Sequence, residues 1–267
     1  MLNIYHIRPL DVLSLNGLAS QFVPGARSHK SRIKLSIVMK KHYPWLWFDA
    51  DGTLFDYNRA EAAALRNTFH SLTLPFEDSY LDVYRKINHG LWQALERQEI
   101  TQALLRFRRF ELLMEALQLG ASPEQMSSVY VEQLSICSEL MDGAYEVLQS
   151  FYGKSQIAIV TNGLQTVQRG RLENSTIRGF ISELIISEEI GAAKPGTAFF
   201  DAAFARCGNP PKEDVLIIGD SLSSDIQGGV NYGIDTCWYN PAGDLQPSQL
   251  QVTYQIRHLS ELMGLVD

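Results

Sequence analysis

Short apolar runs and helical repeats alternate along most of the chain. Tyr43-Pro-Trp-Leu-Trp-Phe-Asp49 is an apolar run of strand length, with its proline at the start, where a missing N–H is tolerated. Residues 58–72 then place Ala62, Leu65, Phe69 and Leu72 at helical spacing, and Leu74-Pro75 ends the pattern. Between about 76 and 140 no strand pattern occurs. Leu91, Trp92 and Leu95 repeat helically, as do Phe107, Phe110, Met114 and Leu117. Ser122 is the expected N-cap of a further helix, with Pro123 in its first position and Gln125 at the capping-box position. Residues 58–140 are therefore predicted to form an all-helical insert.

Beyond it the period changes. Residues 156–161, 183–187, 214–219 and 234–239 are short apolar strands, and helical segments such as 199–207 lie between them. Strands that are apolar throughout and alternate with helices predict a parallel sheet covered on both faces. The predicted fold class is α/β: a Rossmann-like parallel sheet core over 39–57 and 141–267, with a helical cap inserted after the first strand. Ligands bind such sheets beyond the carboxyl ends of the strands, so the polar residues closing each strand are the place to look for chemistry.

Composition narrows the function. The apolar fraction is 45% and the charged fraction 20%, values of an ordinary globular chain. The net charge of −7 is uneven: residues 1–38 carry Arg8, Arg27, Lys30, Arg32 and Lys34 against Asp11, which leaves the remainder at −11. An acidic body lacks the basic surface that non-specific nucleic-acid binding needs. A phosphate ester must then be held by a local site with a metal. Cys137, Cys207 and Cys237 are odd in number and far apart, which reads as reduced thiols of a cytoplasmic protein rather than a disulfide framework or zinc site. No apolar run reaches membrane-spanning length. Asn174-Ser-Thr matches a glycosylation acceptor, but no other feature points to secretion. Residues 1–38 are expected to be a basic extension outside the fold, read either as a leader or as sequence upstream of a natural start at Met39.

Three strand ends carry suggestive groups: Asp49-Ala-Asp51-Gly-Thr-Leu54, Thr161-Asn162-Gly163, and Gly219-Asp220-Ser221 with Asp225 five residues after Asp220. Lys194-Pro195 lies between the last two. Parallel strands bring these to one edge. Four carboxylates gathered there repel unless a cation sits among them or one is protonated. Oxygen ligands with open positions suit magnesium, with manganese as a substitute. Thr161, Asn162 and Lys194 add donors and positive charge, and the set makes a pocket for a phosphoryl group. One carboxylate of the Asp49/Asp51 pair is expected to attack phosphorus, and the other to exchange protons with the leaving alcohol and water.

Other readings of these residues are weaker. A calcium loop starting at Asp49 would need Glu at its twelfth position, where Ala60 stands. Ser221 has no Gly-x-Ser-x-Gly elbow around it and no paired histidine. Asn-Gly at 162–163 alone is a turn signal, and Asp220 alone is a helix cap. Asp225 alone is a solvated or capping carboxylate. It is the order and strand placement of all four segments together that points to one site.

On these residues the sequence resembles the haloacid dehalogenase superfamily, whose four motifs are matched by Asp49/Asp51, Thr161, Lys194 and Asp220/Asp225. The resemblance runs from about residue 43 to the C-terminus. It implies Asp49 as nucleophile and Asp51 as general acid/base. Magnesium would be held by the Asp49 carboxylate, the Asp51 backbone carbonyl and Asp220, with Asp225 in support, and Thr161 and Lys194 would hold the phosphoryl group. Asn88, Leu91-Trp92, Ile100-Thr101, Arg109-Phe110, Thr161-Asn-Gly163, Ile186-Ser-Glu-Glu-Ile-Gly191 and Gly228-Gly229 further resemble the pyrimidine 5′-nucleotidases of the YjjG type, which hydrolyse dUMP, dTMP and UMP. The basic extension departs from that family, which begins near the first strand. Asn88 and Trp92 are the candidate specificity residues of the cap. The competing reading of each is structural: Asn88 satisfying a helix, and Trp92 and Phe110 serving as core. Arg106, Arg108 and Arg109 read as a solvated face.

The expected function is a magnesium-dependent nucleoside 5′-monophosphate phosphatase, a monomer or homodimer. The alternative is a phosphatase for another small ester, such as a sugar phosphate or phosphoglycolate. A dehalogenase is disfavoured by Asp51. A phosphonatase needs a cap lysine, for which Lys86 is the only candidate between 76 and 140. A binding protein without catalysis is disfavoured by the complete set of side chains.

Overall fold

The computed structural model describes residues 40–97 and 99–267. The expectations for the basic extension 1–38 and for Met39 lie outside the described residues. Six parallel strands form one sheet in the order β3-β2-β1-β4-β5-β6, where β1 is Trp45–Phe48, β2 Gln156–Thr161, β3 Glu183–Ile186, β4 Val215–Gly219, β5 Asp235–Tyr239 and β6 Tyr254–Ile256. The strand order reverses at β1. This strand pairs with β2 on one side and β4 on the other, Phe48 lying opposite both Ile159 and Ile218. A crevice at the carboxyl end of β1 follows directly from that topology.

The apolar strands serve two cores because successive side chains point to opposite faces. Leu46, Phe48, Ile157, Ile159, Leu216 and Ile218 pack on one face with Val147, Leu148 and Phe151 of α5 (Ala144–Phe151). Trp47, Ala158, Val160, Val215 and Ile217 pack on the other with Phe199, Phe200, Ala203 and Phe204 of α8 (Thr197–Arg206). Burying one such side chain contributes roughly 1.5–3 kcal/mol, so the sheet is anchored from both sides.

Between β1 and α5 lie α1 (Tyr57–Ser71), α2 (Ser79–Glu96), α3 (Gln102–Leu117) and α4 (Pro123–Ser135). Of their start signals, the one at Ser122 was expected from the sequence, and those of α1 and α3 are found in the structure. Asp56 accepts from the Arg59 N–H, Thr101 from that of Leu104, and Ser122 from that of Gln125, with Pro123 in the first turn. The helices bury a core of their own, built on Leu65, Phe69, Leu113 and Met126 and on the aromatic trio Tyr84, Phe110 and Tyr130. Leu164 and Val167 of α6 (Gln165–Glu173) and of its N-cap join the same cluster, so α6 touches the insert as well as the sheet. No helix among the described residues is long and apolar enough to cross a membrane.

Two expectations are corrected. Arg109 is not on a solvated face: it is 2% exposed, stacked over Phe110 and Tyr130. Its long apolar stem and planar head fit an aromatic interior that an ammonium group would not. Strand β6 was not predicted, because three residues at a sheet edge carry too little periodicity to register.

Candidate active site

The loop after β1 turns sharply. Gly52 sits at φ +86, and a Cβ there would stand 2.7 Å from Asp220 Oδ2, so this turn admits the carboxylate of the neighbouring strand only as glycine. The turn presents Asp49 and Asp51 at the mouth of a cleft of about 200 Å³. Tyr57, Trp92, Thr161, Asn162, Asp220 and Ser224 also line it.

Lys194 stands at the base of the cluster, 2% exposed. Its Nζ donates to Asp49 Oδ1 (2.7 Å), Asp225 Oδ1 (2.6 Å) and the Val160 carbonyl (2.6 Å), which uses all the ammonium hydrogens. Burial alone would lower its pKa, but the Asp225 and Asp49 carboxylates outweigh that and raise it, so Lys194 is charged. Asp225 is fully buried. Its second oxygen accepts from the Ser221 N–H at 3.1 Å, so it braces Lys194 and the loop after β4 together.

Asn162 and Thr161 close β2. The Asn162 side chain was predicted to donate to a phosphoryl group. One amide hydrogen goes to the Lys194 carbonyl and the side-chain oxygen accepts from the Lys194 N–H, each at 2.8 Å, while the residue also lines the cleft. It therefore clamps the main chain that carries the lysine. Thr161 is buried, and its Oγ1 accepts from the Gly163 N–H at 3.0 Å, which leaves its hydroxyl proton to donate elsewhere.

Asp49, Asp220 and Asp225 each offer an oxygen within 4.8 Å of the others. Burial, followed by the charge of Asp225, pushes the Asp220 carboxyl up to about 7, and burial raises that of Asp49 despite Lys194. Hard oxygen donors whose mutual repulsion is only partly offset by one ammonium fit a divalent cation such as magnesium. Thr53 orients Asp220, with its Oγ1 donating to Oδ1 and accepting from the Asp220 N–H, each at 3.1 Å. Trp238 Nε1 donates to the Asp220 carbonyl at 3.0 Å.

The cap candidates separate. Trp92 lines the cleft. Asn88 is 3% exposed and does not line it: its amide donates to Tyr57 Oη (3.1 Å) and Glu61 Oε1 (3.3 Å) inside the insert. Tyr57, unnoticed in the sequence, is the aromatic group that Asn88 holds against the cleft. Two other residues missed by sequence reasoning hold Asp51: Gln168 Nε2 donates to Oδ2 at 2.6 Å, and Arg171 Nη1 to Oδ1.

Comparison with known proteins shows the family of the chain. The chain is 35% identical to the pyrimidine 5′-nucleotidase YjjG of Escherichia coli over 225 residues, covering 84% of this chain and 98% of that protein. It is 32% identical to the pyrimidine 5′-nucleotidase PynA of Streptococcus pneumoniae over 226 residues, covering 84% and 95%. The magnesium-bound crystal structure of the HAD-hydrolase YfnB of Bacillus subtilis superposes with a TM-score of 0.80 at 35% identity, covering 85% of this chain and all of that one. Residues 46–239 match the haloacid dehalogenase-like hydrolases, and the chain belongs to that family.

Proposed function

We propose that this hydrolase is a magnesium-dependent phosphatase of nucleoside 5′-monophosphates, pyrimidine nucleotides such as dUMP, dTMP and UMP, acting in the cytoplasm through a phospho-aspartyl intermediate. The observation that carries the chemistry is the convergence of Asp49, Asp51, Thr161 and Asp220 on the cleft at the reversal point of the sheet, with Lys194 bonded to Asp49 beneath it. The substrate class is supported by the likeness to YjjG and PynA and by two aromatic side chains, Tyr57 and Trp92, facing the same cleft. We take residues 58–140 as the cap and 39–57 with 141–267 as the catalytic core.

In this mechanism Asp49 attacks phosphorus with the carboxylate oxygen not bound to Lys194, and the bond from phosphorus to the ester oxygen breaks. Asp51 gives its proton to the departing oxygen. Water then attacks the phospho-aspartate, Asp51 takes a proton from it, and inorganic phosphate leaves with Asp49 restored. Thr161 donates to a phosphoryl oxygen, and Lys194, whose hydrogens go to Asp49, Asp225 and the Val160 carbonyl, adds its positive charge to the phosphoryl site from beneath Asp49, with Asn162 fixing the Lys194 main chain. Asp49, Asp220 and the Asp51 carbonyl, with Asp225 in support, would hold magnesium, which would supply positive charge to offset the repulsion between nucleophile and substrate.

The test is phosphate release from a panel of nucleoside monophosphates and sugar phosphates, with magnesium, with manganese and with a chelator. Metal-dependent release greatest on dUMP, dTMP or UMP is the expected result. Release greatest on a sugar phosphate or phosphoglycolate would keep the mechanism and overturn the substrate class, and no release would overturn both.

A further inference from the structure

Helix α6 carries two polar side chains where its apolar stripe would continue. Leu164 and Val167 are buried at helical spacing, and the next positions on that face are Gln168, 1% exposed, and Arg171, fully buried. Neither is spent on the fold in an ordinary way. Both reach one carboxylate, that of Asp51, and each takes a different oxygen. A guanidinium taken fully out of water is destabilising unless a charge and hydrogen bonds compensate it, and Asp51 is its carboxylate partner.

The surroundings leave Arg171 little choice of position. Its Nε donates to the Leu134 carbonyl in α4 at 3.3 Å, and its guanidinium carbon lies 5.8 Å from the ring centres of both Phe55 and Tyr57. Gln168 is held as tightly. A Cβ on Gly163 would stand 2.2 Å from Gln168 Nε2, so the side chain crosses directly over this glycine on its way to Asp51. The glycine of the Thr161-Asn-Gly163 segment thus has a physical reason: it leaves the path open.

We infer that Gln168 and Arg171 are positioning residues for Asp51, presenting its carboxylate to the leaving-group oxygen in one orientation, and that Gly163 serves the same purpose by its lack of a side chain. The inference rests on the reading of Asp51 as general acid/base. The two donors approach from the α6 side, and the remainder of the carboxylate, with a side chain 29% exposed, faces the cleft. Because Arg171 also bonds to α4, the orientation of Asp51 is tied to the helical insert.

A positioning role and a merely structural one differ in how the loss depends on the substrate. A proton donor matters more as the leaving oxygen becomes more basic. Substituted phenyl phosphates from para-nitrophenyl to para-methoxyphenyl, assayed with magnesium, read this directly. Gln168→Leu, Arg171→Met and Gly163→Ala are each expected to lower kcat/KM, which reads the step in which the leaving oxygen departs, about 10-fold more on the para-methoxyphenyl ester than on the para-nitrophenyl ester. Arg171→Lys, which keeps the charge, is expected to recover part of that difference. Asp51→Asn is run beside them and must show the same dependence at larger amplitude. If Asp51→Asn loses activity equally across the series, the acid/base reading fails. If Asp51→Asn shows the dependence while the other variants lose activity uniformly or not at all, the positioning inference alone fails. Should Arg171→Met not fold, Gln168→Leu and Gly163→Ala decide the question.

Discussion

The ammonium of Lys194 lies 2.6 Å from the carboxylate of Asp225, and both side chains are closed off from solvent. The pair sits directly beneath Asp49, which shares the same ammonium. Lys194→Met would leave Asp225 buried without its cation. Removing one partner of such a pair costs about 3–5 kcal/mol, most of it the cost of the stranded charge. The expected result is a fall in unfolding free energy of that size, with phosphatase activity abolished. The double variant Lys194→Met/Asp225→Asn should recover stability but not activity. Denaturant unfolding of the three proteins checks both statements, and a double variant no more stable than the single one would contradict them.

A covalent route through Asp49 leaves a trace on the protein. Rapid acid quench of a reaction with phosphate-labelled substrate should recover labelled wild-type protein and unlabelled Asp49→Asn. Asp49→Asn should also lose at least about 10³-fold in kcat, equivalent to about 4 kcal/mol of transition-state stabilisation. Label retained on the Asn variant would mean a different nucleophile.

Metal affinity should follow the residues around Asp220. Asp220→Asn alters a proposed ligand, and Thr53→Val removes the hydroxyl that orients it at 3.1 Å. The magnesium concentration for half-maximal activity is expected to rise for both, and by roughly 10–100-fold for Thr53→Val, the usual effect of losing an outer-shell partner. The rise in Tm on adding magnesium should shrink in parallel, which gives a readout independent of turnover.

Trp92 and Asn88 should respond differently to truncation. Trp92→Ala removes a wall of the cleft, so KM for the preferred nucleotide should rise with little change in Tm. Asn88→Ala instead leaves the buried Glu61, and the Tyr57 hydroxyl beside it, short of a donor. A buried group left unsatisfied costs about 1–3 kcal/mol, so the main effect should be on stability. Thermal unfolding beside steady-state kinetics separates the two, and a KM effect confined to Asn88→Ala would reverse the assignment.

How far these residues could be read in advance depends on what their signals require. The sheet strands β1 to β5 were legible because a strand buried on both faces is apolar throughout, and the polar residues that close them follow in a fixed order. Asp49, Thr161 and Asp220 were singled out for that reason, and Lys194 because it lies between the last two of these strand ends. Their hydrogen-bond assignments were not legible: that Asn162 clamps the Lys194 backbone depends on a loop 32 positions away in the chain. Arg109 and Arg171 look like surface arginines, since a buried guanidinium is identified by aromatic or carboxylate neighbours from other elements. The one local sign at α6 was a glutamine and an arginine continuing the stripe of Leu164 and Val167. Tyr57 went unnoticed because its role comes from Asn88, on another helix.

Acid stability offers a test remote from the active site. Asp235 opens β5 and accepts from Lys41 Nζ at 2.7 Å and Tyr43 Oη at 2.6 Å, which ties the segment before β1 to the far side of the sheet. Burial alone would raise its pKa, but Lys41 and the Tyr43 hydroxyl outweigh this and hold it below the ordinary 3.8. A carboxyl whose folded pKa is lower than its unfolded one stabilises the fold above the unfolded value, and loses that contribution as pH falls through the folded one. Asp235 should therefore contribute fully at neutral pH and progressively less below about pH 4. Asp235→Asn should lower Tm at neutral pH, and its Tm curve should converge on that of the wild type as pH drops through the acid range. Curves that stay parallel down to the acid limit would mean that Asp235 acts through shape and hydrogen bonding alone, with no part played by its charge.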